Sequence, residues 1–82
     1  SRADLIYKEL EEKVLLGNCY ATMGNIYKNK DKFKEAIKYY KRALNLNPED
    51  YLVLFNIANC YEESLEWELA IDFYNISFII PL

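Results

Sequence analysis

The sequence predicts an all-α solenoid of about five antiparallel helices, and three observations lead there. A set of residues recurs at a spacing of 34: Asn25 with Asn59, Tyr27 with Tyr61, Ala36 with Ala70, Ile37 with Ile71, and Tyr40 with Tyr74. Within each half of that period, apolar residues return every three or four positions, as one face of a helix must. Gly and Pro number only two each in 82 residues, too few for the tight turns of an all-β domain. A fixed period filled by helix pairs describes stacked units, each burying its apolar face on its neighbour.

The helices follow in order. The first is expected at about 3–13, with Ala3, Ile6, Tyr7, Leu10 and Val14 as its stripe. At about 100° per residue, that stripe centres roughly 130° away from the one formed by Leu16, Tyr20, Met23 and Tyr27. One straight helix cannot turn both toward a single partner, so a break is placed near Leu15–Asn18, around Gly17. The second helix then covers about 17–29 and ends at the polar turn Asn29-Lys30-Asp31-Lys32. Phe33, Ala36, Ile37, Tyr40, Ala43 and Leu44 form the stripe of a third helix at about 33–45. Pro48, in Asn47-Pro48-Glu49-Asp50, stops it and opens the fourth, at about 51–63. The fifth is expected at about 67–79, with Trp67 in the place Phe33 holds, as a packing residue. Small residues at Gly24/Ala58 and Ala36/Ala70 allow close helix approach, and aromatic rings fill the space beside them. Cys19 and Cys60 read as small buried hydrophobes.

Composition excludes more than it includes. There are 10 Lys+Arg against 13 Asp+Glu and no His, which removes the commonest general base and metal ligand. No His is present to activate a Ser or Cys nucleophile, and the two Gly do not form a phosphate loop. Two cysteines alone cannot build a zinc site, and the pairs Glu62/Glu63 and Glu66/Glu68 read as solvated charge. The expectation is therefore no enzyme, no metal and no cofactor. No apolar run approaches a membrane span, and no signal peptide is visible. With no disulfide framework, a reducing cytoplasmic setting is expected, the nucleus included. The Asn75-Ile76-Ser77 sequon is expected to be unused. Residues 28–42 are rich in Lys, whereas residues 43–82 hold seven acids and no base. Lys34 is equivalent to Glu68 and Lys38 to Asp72, so neighbouring outer faces are expected to pair their charges weakly. A strongly acidic half beside the Lys stripe argues against nucleic acid, although Phe33 and Tyr39 lie near that stripe.

The period and its residues resemble the tetratricopeptide repeat. In one copy the signature places hold Tyr20, Met23, Gly24 and Tyr27, then Ala36, Tyr40, Ala43 and Pro48. In the next they hold Leu54, Ile57, Ala58, Tyr61, Ala70, Tyr74 and Ser77, while Pro81 comes one place early. The resemblance implies a right-handed superhelix. It divides the chain into a helix at 1–16, the possible second helix of a preceding repeat, one repeat at 17–50 and a truncated one at 51–82. It implies a non-catalytic module for protein–protein interaction, whose inner face is lined by first helices. That assigns a groove for a peptide or helix to Asn18, Ala21, Thr22, Asn25, Lys28 and Asn29, and to Leu52, Phe55, Asn56, Asn59, Glu62 and Glu63. The family's carboxylate clamp is broken here: Asn25 and Asn56 match, but Ala21 stands where a Lys is needed. The apolar end formed by Phe73, Ile76, Phe78, Ile79 and Ile80 is expected to be covered, by further repeats of the parent chain or by self-association.

Overall fold

The structure, a computed structural model, describes residues 1–79. It contains four α-helices: α1 (Arg2–Asn29), α2 (Phe33–Leu46), α3 (Tyr51–Glu63) and α4 (Trp67–Ile79). Each helix packs on the next in chain order, giving an all-α slab of about 50 × 28 × 14 Å. The expected positions of Ile80 and Pro81 lie outside the described residues.

The count of five helices is corrected to four. Residues 2–16 and 17–29 form one helix of 28 residues, about 42 Å long at ~1.5 Å per residue. Gly17 does not break it. A glycine inside a helix costs only about 1 kcal/mol, and the backbone at Gly17 stays out of the left-handed region. The diverging stripes are reconciled because the first has no partner among the described residues: every residue from Ser1 to Leu16 is exposed. Ser1 caps the helix, its hydroxyl accepting from the Asp4 amide at 3.4 Å while the Asp4 side chain reaches back to Ser1.

The two helix pairs close alike. After α1, the Lys32 amide donates to the Tyr27 carbonyl at 2.9 Å and the Asp31 amide to Lys28 at 3.0 Å. After α3, Glu66 donates to Tyr61 at 2.9 Å and Leu65 to Glu62 at 3.0 Å. Both are Schellman closures, which need a left-handed residue just past the helix. Asp31 (φ 59°) and Leu65 (φ 62°) supply it; Asp tolerates that region, whereas Leu is strained there. Between the pairs, Asp50 caps α3 by accepting from the Val53 amide at 3.3 Å.

The core lies where α2 meets α3. Ala36, Ile37, Tyr40 and Ala43 face Val53, Ile57, Cys60 and Tyr61, and Ala70 of α4 joins them. In α1 only Gly24 is fully buried. On the other side of α2, Tyr39 stacks on Tyr27 with centroids 5.4 Å apart, and the Arg42 guanidinium lies 5.2 Å from the Tyr39 centroid and 5.9 Å from that of Tyr20. Tyr39 is thus engaged within the α1–α2 contact rather than free beside the Lys stripe.

Three smaller expectations are corrected. Cys60 is buried but Cys19 is exposed, because among the described residues nothing lies against α1 where α2 lies against α3. Trp67 is exposed while its counterpart Phe33 is half-buried, for the same reason at the other end. Among the described residues, the single ion pair joins the amino terminus to Asp4 at 3.4 Å. Lys34 and Lys38 do not reach Glu68 and Asp72, because α3 stands between α2 and α4.

Candidate functional site

The groove assigned to α1 and α3 is built from side chains whose polar atoms are already half committed. Asn25 accepts, through its amide oxygen, the hydroxyl hydrogen of Tyr40 on α2. Asn59 accepts in the same way from Tyr74 on α4. Asn56 accepts from the Lys28 ammonium at 3.2 Å, a bond that ties α3 to α1. An asparagine amide has one acceptor oxygen and one NH2 group with two donors. Internal donors therefore reach the oxygen of all three residues, so that end of each amide is oriented toward the protein.

The remaining assigned residues are placed as follows. Asn18 and Thr22 are exposed, and the Thr22 hydroxyl donates to the Asn18 carbonyl one turn back at 2.8 Å. Ala21 is half-buried and Asn29 exposed. Leu52 and Phe55 are exposed large apolar residues, and the Phe55 ring meets Tyr74 edge-on, with centroids 5.3 Å apart and planes at 64°. Glu62 and Glu63 are exposed at the end of α3. Glu62 accepts from the Tyr74 hydroxyl at 2.7 Å, so that single hydrogen is shared between Asn59 and Glu62.

Electrostatics follow from these contacts. Burial pushes the Tyr40 phenol up to about 12, with a further push from Cys60. Tyr74 is also raised to about 12, by burial first and then by the bond to the Glu62 carboxylate. Burial pushes the Cys60 thiol up, Lys28 partly offsets this, and Glu63 adds to it. A buried thiol of raised pKa is not a nucleophile at neutral pH. Among the described residues, no three side chains of metal-ligand type converge, and no helix is long and apolar enough to cross a membrane.

The reading of the sequence missed Tyr40 and Tyr74 as the residues that orient the groove amides. Their signal was present: Asn25–Tyr40 and Asn59–Tyr74 are both separated by 15 residues. It also missed a cleft of about 310 Å³ beside the overhanging half of α1, lined by Leu10, Val14, Gly17 and Leu46 among others. Of the residues expected to form an apolar end, Phe73 is half-buried against Tyr61, with centroids 5.5 Å apart, and packs against the core. Ile76 and Phe78 are exposed, whereas the Ile79 side chain and Ile80 lie outside the described residues.

Two family models, both described as tetratricopeptide repeat, match residues 17–50 and 52–76. The chain is 30% identical over 66 residues to the uncharacterized protein ycf37 of Pyropia yezoensis, covering 80% of this chain and 37% of that one. The ycf37 protein of Guillardia theta is 35% identical over the same share of each. Tetratricopeptide repeat protein 21B of Mus musculus is 29% identical over 68 residues, which are 83% of this chain and 5% of that protein. The chain thus spans little more than a third of the first relatives and a small part of the last.

Proposed function

The chain belongs to the tetratricopeptide repeat family, and on that premise we propose that it is a non-catalytic protein-interaction module whose α1–α3 face takes an extended peptide. One observation carries the reading: Asn25, Asn56 and Asn59 each spend the amide oxygen on an internal donor. Their NH2 groups are left as donors, and the natural acceptors for a row of amide donors are backbone carbonyls. Phe55 and Leu52 offer an apolar seat beside that row. Glu62 and Glu63 favour a Lys or Arg at the α3 end of the peptide and oppose an acidic tail.

Asparagine-to-aspartate variants test this without disturbing the fold. Asn25→Asp keeps an oxygen for the Tyr40 hydroxyl but replaces the outward NH2 with a second acceptor. Asn56→Asp does the same opposite Lys28. Binding of the chain to an array of random ten-residue peptides is the measurement. Peptides joining a bulky apolar residue to a Lys or Arg should be selected, and the double variant should lower their affinity at least ~10-fold, since each lost bond is worth about 1 kcal/mol and each new charge opposes a carbonyl. The melting temperature should stay within a few degrees. Peptides that bind both forms equally would place the interaction elsewhere.

A further inference from the structure

α1 and α4 carry the two halves of an interface that already exists inside the chain. Inside the chain, α3 lies on α2. Val53, Ile57 and Cys60 of α3 are buried there, the last two completely. Thirty-four residues earlier, the same places on α1 are Cys19, Met23 and Ile26. Cys19 is exposed, Met23 is 36% exposed and Ile26 is 44% exposed. On the opposite side of the internal contact, α2 presents Phe33, Ile37, Tyr40 and Leu44, of which Ile37 and Tyr40 are buried and the other two packed against the core. Thirty-four residues later these places are Trp67, Ile71, Tyr74 and Phe78 on α4. Spaced four, three and four apart, they form one stripe, in which Trp67 and Ile71 are each 57% exposed and Phe78 80%.

We infer that this chain associates head to tail with a second copy of itself, α1 of one copy lying on the Trp67–Ile71–Phe78 stripe of the other as α3 lies on α2. Continuity with the internal α2–α3 contact calls for a helix of this repeat type on the stripe, and α1 of a second copy is one. The incoming helix presents the exposed Cys19, Met23 and Ile26 where α3 presents Val53, Ile57 and Cys60. Charge follows the same shift with its signs exchanged: Glu62 at the end of α3, with Lys32 and Lys34 at the start of α2, become Lys28 at the end of α1, with Glu66 and Glu68 at the start of α4. Because the two surfaces differ, the contact is heterologous and does not close at a dimer. It needs only the repeat geometry and does not depend on an occupied groove.

Sedimentation of the 82-residue chain over a wide concentration range tests it. The unaltered chain should gain mass with concentration and pass beyond the dimer. Met23→Glu blocks the α1 surface and Ile71→Glu the α4 surface; each variant alone should sediment as a monomer. Mixed in equal amounts, the two retain one good surface each and should form a dimer that grows no further. Both positions are exposed, and circular dichroism checks that the helices persist. Ile26→Glu and Phe78→Glu form a second pair should either of the first fail to fold. An unaltered chain that stays monomeric throughout overturns the inference. So does a mixture of variants that stays monomeric, or a single variant that still dimerises, since a symmetric contact would use one surface twice.

Discussion

Tyr40 and Tyr74 hold the same place in the two helix pairs and make the same bond, each donating to an asparagine 15 residues earlier. Their surroundings differ. Tyr40 is completely buried because α3 covers it, and Gly24 brings α1 flush against its ring. Tyr74 is half-buried, has Ala58 where the first pair has Gly24, and shares its hydrogen with Glu62. The same residue is a keystone in one repeat and a rim residue in the next. Burial in a stacked fold is a property of the neighbour on the far side, not of the repeat itself.

Truncating the two tyrosines should show the largest contrast. Tyr40→Ala should cost about 3–5 kcal/mol, as for other large buried aromatics. Tyr74→Ala should cost roughly 1–2 kcal/mol, because it loses less buried area. Urea unfolding of both variants measures the gap, and equal losses would mean that α4 is as tightly held as α2.

The small residue beside each ring gives a second, smaller contrast. A Cβ at Gly24 would come within 2.6 Å of the Tyr40 ring. Gly24→Ala should therefore destabilise by about 1–3 kcal/mol through overpacking, despite the better helix propensity of alanine. Ala58→Gly should also destabilise, by about 1–2 kcal/mol, through helix propensity and the loss of a buried methyl. Thermal melts of the two variants order them.

The smallest effect is one of pH. Both phenols titrate at about 12, above the usual ~10 for tyrosine. A raised acid keeps its proton better in the folded state, so this stability is complete below pH ~10 and is lost as pH rises through 12. Glu62→Gln removes the carboxylate that helps to hold Tyr74 up and should lower its pKa, leaving that of Tyr40 in place. Ring NMR of carbon-labelled tyrosine separates the two titrations.

Much of this could be read from residues alone. The recurrence of Asn, Tyr, Ala and Ile at 34 residues identified the helix pairs, and Pro48 with the polar turns placed the ends of α2, α3 and α4 to within a residue. Those features are local: periodicity, turn chemistry and the missing proline amide act within a few positions. The error at Gly17 arose from assuming that every apolar stripe on α1 must face one partner. The residue types assigned to the α1–α3 face are legible in the sequence, but the orientation of Asn25 and Asn59 depends on Tyr40 and Tyr74, which arrive from other helices.

What the sequence determined by itself is therefore the repeat, the helix pairs and the residue types on each face. The tertiary structure alone decided which of two equivalent residues is buried: Val53 but not Cys19, Ile37 but not Ile71, Tyr40 more than Tyr74. The reason is physical. Helix formation answers to hydrogen bonds and spacing within one segment, whereas burial requires a second surface, and in a stack each unit finds that surface on its neighbour.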